Sequence, residues 1–156
     1  MAANDREIER KYLLRALPER VAGAEVLDIH QGYLPGVRIN ERIRRTRSHD
    51  SVRCYRTIKS GQGIERSEIE EETTEKFFMT VWPVTRGARV HKRRYLIPEG
   101  SVTWEIDEFL DREGLWLAEI ELDRADQVVE IPDWLRAVLD REVTDDPAYT
   151  NHALAR

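Results

Sequence analysis

Period-two segments whose ionisable residues share one face constrain this chain more than any other feature. Successive side chains of a strand point to opposite sides, so residues i, i+2 and i+4 line one face. Residues 6–14 (REIERKYLL) put Glu7, Glu9 and Lys11 on one side. Residues 37–44 (VRINERIR) align Arg42 with Arg44, with Ile39 and Ile43 opposite. Residues 52–59 (VRCYRTIK) set Thr57 and Lys59 against Ile58, and residues 64–72 place Arg66, Glu68, Glu70 and Glu72 in one row. Residues 90–97 align Lys92 with Arg94, against Tyr95 and Ile97. Residues 102–109 align Glu105 with Asp107, and residues 115–123 align Glu119 with Glu121. Short turn signals separate these segments, which predicts seven or eight strands in an antiparallel meander or barrel.

A charged strand face is usually the solvent side of a half-buried sheet. Two features argue against that here. The opposite faces of 102–109 and 115–123 carry Trp104, Ile106, Trp116, Ile120 and Leu122, so helices must cover them. The signs also segregate: acids in the first, sixth and seventh segments, bases in the second, third and fifth. A solvated surface would intersperse them. If the charged faces meet across a lumen, that lumen must be wet or filled with ions, because dry burial costs several kcal/mol per charge. Clustered carboxylates need a divalent cation, and an oxygen-only donor set selects Mg²⁺ or Mn²⁺. Clustered guanidinium and ammonium groups need a multivalent anion, which phosphate oxygens satisfy. A metal-bound polyphosphate answers both demands.

The remaining segments are helical or turn-like. Residues 73–84 carry Phe77, Phe78, Val81 and Trp82 at helical spacing up to Pro83. Residues 132–142 read as a second amphipathic helix with Trp134, Leu135, Val138 and Leu139 inward, and a short helix is expected near 18–26. SGQG at 60–63 reads as a hairpin turn, since no Lys-Ser follows as in a phosphate-binding loop. The basic stretch 45–53 reads as a loop. No repeat or linker divides the 156 residues, so one domain over 1–156 is expected. With 25 basic and 30 acidic residues the net charge is −5, which gives no support to nucleic-acid binding. No apolar run approaches the ~18 residues of a membrane span. The charged beginning lacks the apolar core of a signal peptide, so a cytoplasmic protein is expected. The single Cys54 excludes an internal disulfide and is expected to pack against an outer helix. His30, His49, His91 and His152 are scattered without ligand spacing and read as surface residues.

Several motifs follow in order. Glu7-Ile8-Glu9-Arg10-Lys11 fits an ExExK signature, followed by Gln31-Gly32-Tyr33-Leu34, Arg42-Ile43-Arg44, Thr57-Ile58-Lys59 and Arg66-Ser67-Glu68-Ile69-Glu70. Lys92-Arg93-Arg94-Tyr95, Trp104-Glu105-Ile106-Asp107-Glu108-Phe109 and Ala118-Glu119-Ile120-Glu121-Leu122 come next, and Glu142-Val143-Thr144 through Tyr149, Asn151 and Leu154 close the chain. In this the sequence resembles the CYTH superfamily, the triphosphate tunnel metalloenzymes. The resemblance implies an α+β, mainly β fold: an eight-stranded antiparallel barrel forming a charged tunnel, with helices packed outside. It implies metal-dependent hydrolysis of tripolyphosphate to pyrophosphate and phosphate. Lys11, Arg42, Arg44, Lys59, Arg66, Lys92 and Arg94 would hold substrate. Glu7, Glu9, Asp107, Glu119 and Glu121 would hold Mg²⁺ or Mn²⁺. Glu7, Lys11, Tyr33, Lys59 and Lys92 are the catalytic candidates, and tyrosine at 33 points to the bacterial tripolyphosphatases. The expected partner is a small polyphosphate, with no nucleic acid and no membrane; a homodimer is left open. The alternatives are thiamine triphosphatase, nucleoside triphosphatase, class IV adenylate cyclase, or a module that binds polyphosphate or nucleotide without turnover. Arg93 stands where the family commonly has threonine, and its parity points it outward.

Overall fold

The computed structural model describes residues 6–36, 40–60 and 64–155. Its strands are β1 (Arg6–Leu14), β2 (Glu25–Tyr33), β3 (Asn40–Arg47), β4 (Val52–Ser60), β5 (Glu65–Thr73), β6 (Arg89–Glu99), β7 (Val102–Phe109), β8 (Trp116–Glu121) and β9 (Leu139–Glu142). The helices are α1 (Glu75–Val81), α2 (Asp133–Arg136) and α3 (Asn151–Leu154). Eight strands pair antiparallel in the order β5-β4-β3-β2-β6-β7-β8-β1, and β1 closes the ring by pairing with β5. The barrel expected from the charged rows is therefore present. The closing contact is short, Arg6–Ile8 against Glu65–Ser67, so β1 beyond Ile8 is left with an edge that β5 does not cover.

Strand β1 does more than close the ring. It pairs with β8 from Glu9 to Leu14, with β5 from Arg6 to Ile8, and with β9 from Tyr12 to Leu14. Where β5 diverges, β9 takes over the exposed edge. That corrects the helix expected over 132–142: α2 ends at Arg136, and 139–142 pair as a strand. Tertiary demand for a partner on the β1 edge outweighs the helical spacing, and Leu139 keeps its apolar contacts in either form.

The helix expected near 18–26 is also corrected. Only a single 3₁₀ turn, Glu19–Val21, forms there, and Gly23 at φ 78° turns the chain into β2. Strand β2 has no charged row to announce it. Its lumen face carries Leu27, Ile29, Gln31 and Tyr33, opposite Arg94, Lys92, Arg44 and Arg42, respectively, on the neighbouring strands. Strand β3 continues through Arg47, so the loop expected over 45–53 shrinks to the turn between Arg47 and Val52. The expectations for 37–39 and for the turn residues 61–63 fall outside the described residues.

The main apolar core lies outside the barrel wall. Tyr12, Leu14, Tyr95, Ile97, Trp104, Ile106, Ala118 and Ile120 form one buried cluster with Leu135 of α2. A second outer cluster joins Ile43 and Cys54 to Phe78, with Phe77, Val81 and Trp82 beside them, so Cys54 packs against an outer helix as expected. Helix α1 begins at Thr74, whose hydroxyl accepts a hydrogen bond from the Phe77 N–H at 3.0 Å. With both apolar clusters outside, the inward faces are free to be ionic.

Candidate active site

The topology turns the segregation of sign along the chain into segregation in space. The acid-bearing strands β7, β8 and β1 are consecutive in the barrel, and the base-bearing strands β4, β3 and β6 lie together around β2. Cross-strand partners share a face. Thus Lys11 stands opposite Glu119, Glu9 opposite Glu121, Glu105 opposite Glu119 and Arg94 opposite Asp107, all inward.

The basic wall is held by a few buried ion pairs. Lys92 donates to Asp107 Oδ2 at 2.7 Å, and Arg94 grips both Asp107 oxygens at 2.7 and 2.8 Å. Arg94 also reaches Glu105 at 2.5 Å and Glu119 at 3.4 Å. Lys59 lies 2.9 Å from Glu7, Lys11 lies 3.3 Å from Glu119, and Arg66 pairs with Glu9. Arg44 donates to Gln31 Oε1 at 3.1 Å, while Arg42 reaches Thr57 at 3.4 Å and Glu70 at 3.7 Å. By strand parity the sequence-expected site residues share this inward face, with Glu121 exposed at the end of β8.

Protonation in the lumen follows from crowding. Burial, with Glu119 and Glu7 close by, pushes the Glu9 carboxyl up to about 7. Burial opposes ionisation of Glu119 and Asp107 as well, yet Lys11 and Arg94 beside the first, and Arg94 and Lys92 beside the second, hold both below the usual carboxylate range. Burial, then Arg94 and Arg44, brings the Lys92 ammonium down to about 7 against the pull of Asp107. Burial and Arg42 lower Lys59, and burial and Arg42 also lower Arg44 to about 10. Lys11 goes the other way, because Glu119 and Glu9 outweigh its burial. The lumen thus holds too much positive charge on one wall and too much negative charge on the other.

A cavity of about 590 Å³ opens into this lumen, lined by Glu9, Lys11, Tyr33, Arg42, Lys59 and Arg66 on the barrel side. Its other side is the closing segment 143–153. That segment, part of the closing motif of the sequence, contributes contacts that strand parity does not register. Lys92 donates to Asn151 Oδ1 at 3.1 Å, Lys11 donates to the Tyr149 carbonyl at 3.0 Å, and His152 meets the Tyr33 ring edge-on at 4.9 Å. Below them Leu13, Val90, Phe109 and Leu117 pack with Val143 and Leu154, an apolar plug across one end of the barrel. Sequence parity could have found Gln31, two residues before Tyr33. It could not have found Asn151 or Tyr149, which arrive from the far end of the chain.

His49 and His152 are exposed as read, although His152 also lines the cavity. His30 and His91, read as scattered, instead stack on each other at 3.9 Å on the outer face. Strand pairing brings together side chains 61 positions apart, a juxtaposition that local ligand spacing cannot register.

A closed antiparallel barrel with opposed acidic and basic inner walls is the architecture of a triphosphate tunnel enzyme. The relatives agree. An inorganic triphosphatase of Nitrosomonas europaea is 35% identical over 156 residues, covering 96% of each chain. Another of Acetivibrio thermocellus is 33% identical over 159 residues, covering 97% of this chain and 94% of that one. The solved structure of the inorganic triphosphatase NE1496 superposes with a TM-score of 0.64 at 32% identity, over 99% of this chain and 95% of that one. No protein-family model matches the chain. The chain belongs to the inorganic triphosphatases of the CYTH superfamily.

Proposed function

We propose that the protein is an inorganic triphosphatase, hydrolysing tripolyphosphate to pyrophosphate and phosphate with a divalent cation, and that residues 1–156 form one domain acting in the cytoplasm. Among the described residues no helix is long and apolar enough to cross a membrane. The observation that carries the reading is the pair of opposed lumen walls, with buried donors still unmet. Arg42 Nε, Arg66 Nε and Gln31 Nε2 are buried without a hydrogen-bond acceptor among the described residues. Leaving such groups dry costs about 1–3 kcal/mol each, which phosphate oxygens would recover.

The carboxylate set fits a hard cation. Burial, with Glu119 and Glu7 close by, raises the Glu9 carboxyl to about 7, and Glu119 Oε1, buried without a hydrogen bond, has the Lys11 ammonium 3.3 Å away. We assign the cation to Glu7, Glu9, Glu119 and Glu121, with Mg²⁺ or Mn²⁺ suiting their oxygens. Asp107, grouped with these acids from the sequence, is better read as the partner of Lys92 and Arg94, which occupy both its oxygens. When bound, the cation draws charge from phosphoryl oxygens and lowers the pKa of water.

The chain's own residues do the rest. Arg42, Arg44, Lys59, Arg66, Lys92 and Arg94, with Lys11, grip the three phosphoryl groups. Substrate charge draws a proton onto Lys92, which burial holds near neutrality. Lys11 and Lys59 face the leaving phosphate and stabilise its charge as it develops. Tyr33, buried opposite Arg42, lines the entry and positions the terminal phosphoryl group. A carboxylate of the acidic wall takes the proton from the attacking water.

Phosphate release from tripolyphosphate, thiamine triphosphate and ATP, each with Mg²⁺ or Mn²⁺, tests this. Tripolyphosphate should show the highest kcat/KM, because the cavity offers Lys11, Arg42, Lys59 and Arg66 and, among the described residues, no parallel aromatic pair for a base. Glu119→Gln should abolish turnover in a folded protein. A kcat/KM for ATP at or above that for tripolyphosphate would move the assignment to a nucleotide enzyme, and turnover surviving excess EDTA would remove the metal from it.

A further inference from the structure

Strands β2 and β6 also bring chemistry together on the outer face of the barrel. In β2, Gln31 and Tyr33 point inward, so Asp28 and His30 point outward; in β6, Lys92 and Arg94 point inward, so His91 points outward. His30 and His91 are direct cross-strand partners with rings stacked 3.9 Å apart. Asp28 Oδ1 lies 3.0 Å from His91 Nε2 and 3.3 Å from His30 Nδ1. The three potential ligand atoms all fall within 4.8 Å of one another. Adjacent ligands around a tetrahedral Zn²⁺ are separated by about 3.3 Å, given metal–ligand bonds of roughly 2.0–2.1 Å. The two spacings from Asp28 Oδ1, 3.0 and 3.3 Å, lie close to that edge length, and the imidazole nitrogens stand within 4.8 Å of each other.

The surroundings hold the three groups in place. The His91 backbone N–H donates to Asp111 Oδ2 at 3.2 Å, and the His30 ring meets Trp82 edge-on at 6.4 Å. The side chains are about one-third to one-half exposed, so an ion can reach them. Three arginines stand nearby as register partners: Arg47 and Arg93 beside Asp28, and Arg45 beside His30. Two of them are engaged elsewhere. Arg93 pairs with Glu108 at 3.2 Å, while Arg45 pairs with Glu75 at 3.7 Å and lies over the Phe78 ring. Among the described residues, the ion partners of Asp28 are the two imidazoles.

We propose that Asp28, His30 and His91 form a second metal site on the outer barrel face, separate from the lumen and selective for an imidazole-preferring divalent ion of the Zn²⁺ class. Two nitrogens and one carboxylate oxygen suit Zn²⁺, Ni²⁺ or Cu²⁺ and disfavour Mg²⁺. A bound ion would replace the Asp28–His91 hydrogen bond with metal–ligand bonds and tie β2 to β6. Three protein ligands leave one position for water or an exogenous group.

Cobalt serves as the spectroscopic probe, added in excess Mg²⁺ so that the lumen carboxylates are filled with the harder ion. One equivalent of Co²⁺ should give the visible absorption of nitrogen-ligated cobalt, and Zn²⁺ should displace it. His91→Ala and Asp28→Asn should weaken binding at least tenfold while keeping the wild-type melt and triphosphate turnover, whereas Glu119→Gln should leave the cobalt spectrum intact. Ring resonances of the unaltered protein give an independent reading: substoichiometric Cu²⁺ should broaden His30 and His91 and spare His49 and His152. A spectrum unchanged in His91→Ala, one lost in Glu119→Gln, or broadening centred on His152 would each overturn the proposal.

Discussion

Glu9 and Lys59 show how far single residues can be read from their surroundings. The Glu9 carboxyl is raised to about 7 by burial and by Glu119 and Glu7, so the folded protein binds a proton that the unfolded chain releases near 4.5. Between those two values the native state holds more protons, and the metal-free protein must lose stability as pH rises. Glu9→Gln removes that penalty. It should raise the melting temperature of the metal-free protein at pH 8, by no more than a few kcal/mol in stability, while eliminating turnover. A thermal melt at pH 5 and pH 8 checks the sign: the gain should be small at the lower pH and larger at the higher. Lys59 provides the second comparison, because it is held against Glu7 inside the lumen while Arg93 lies exposed on the outer face. Lys59→Ala should cut kcat/KM by at least tenfold, and Arg93→Ala should leave it within a factor of two or so, exposed substitutions usually falling within about 0.5 kcal/mol. Steady-state assays on the two variants decide whether inward parity or charge alone matters.

Among the elements, β2 is instructive because it is the strand the charged rows did not announce. Its outward Gly32 meets the 3₁₀ turn that follows α1: a Cβ at this position would sit 2.5 Å from Thr85 Cβ and 2.8 Å from Thr85 Cγ2. Thr85 is fully buried and bonded to the Trp82 carbonyl at 2.7 Å, so it cannot step aside cheaply. Gly32→Ala should therefore cost about 1–3 kcal/mol, as overpacking does. Pairing it with Thr85→Gly should recover part of the loss relative to the sum of the single changes, measured by chemical denaturation. Strand β9 teaches the complementary lesson. The apolar spacing of 132–142 suits a helix, yet the free edge of β1 beyond Ile8 takes residues 139–142 as a strand. Local periodicity reports which side chains must be buried, and not whether a neighbouring strand lacks a partner.

For the whole molecule, the proposed site is a balance of lumen walls that a bound polyanion and cation would complete. Tripolyphosphate with Mg²⁺ should raise the melting temperature, with a stabilisation of about 2.7 kcal/mol at a hundredfold excess over Kd. Tripolyphosphate alone should give a smaller shift, since the acidic wall is then left crowded; equal shifts with and without Mg²⁺ would argue against a cation among these carboxylates. The sequence by itself determined that a barrel-like sheet must turn its charged rows away from its apolar rows, because strand parity is fixed by the backbone and Trp104, Ile106, Ile120 and Leu122 share the face opposite Glu105, Asp107, Glu119 and Glu121. It also determined the chemistry of the donors, since carboxylates and guanidinium groups carry their ligand preferences wherever they are placed. Only the tertiary structure decided that the acidic strands adjoin one another, that Asp107 is consumed by Lys92 and Arg94, that Asn151 and Tyr149 reach the lumen from the chain's far end, and that His30 meets His91 on the opposite side of the wall. Those are facts of strand order and register, set by ring closure and by pairing between segments far apart in the chain, and no local pattern of residues encodes them.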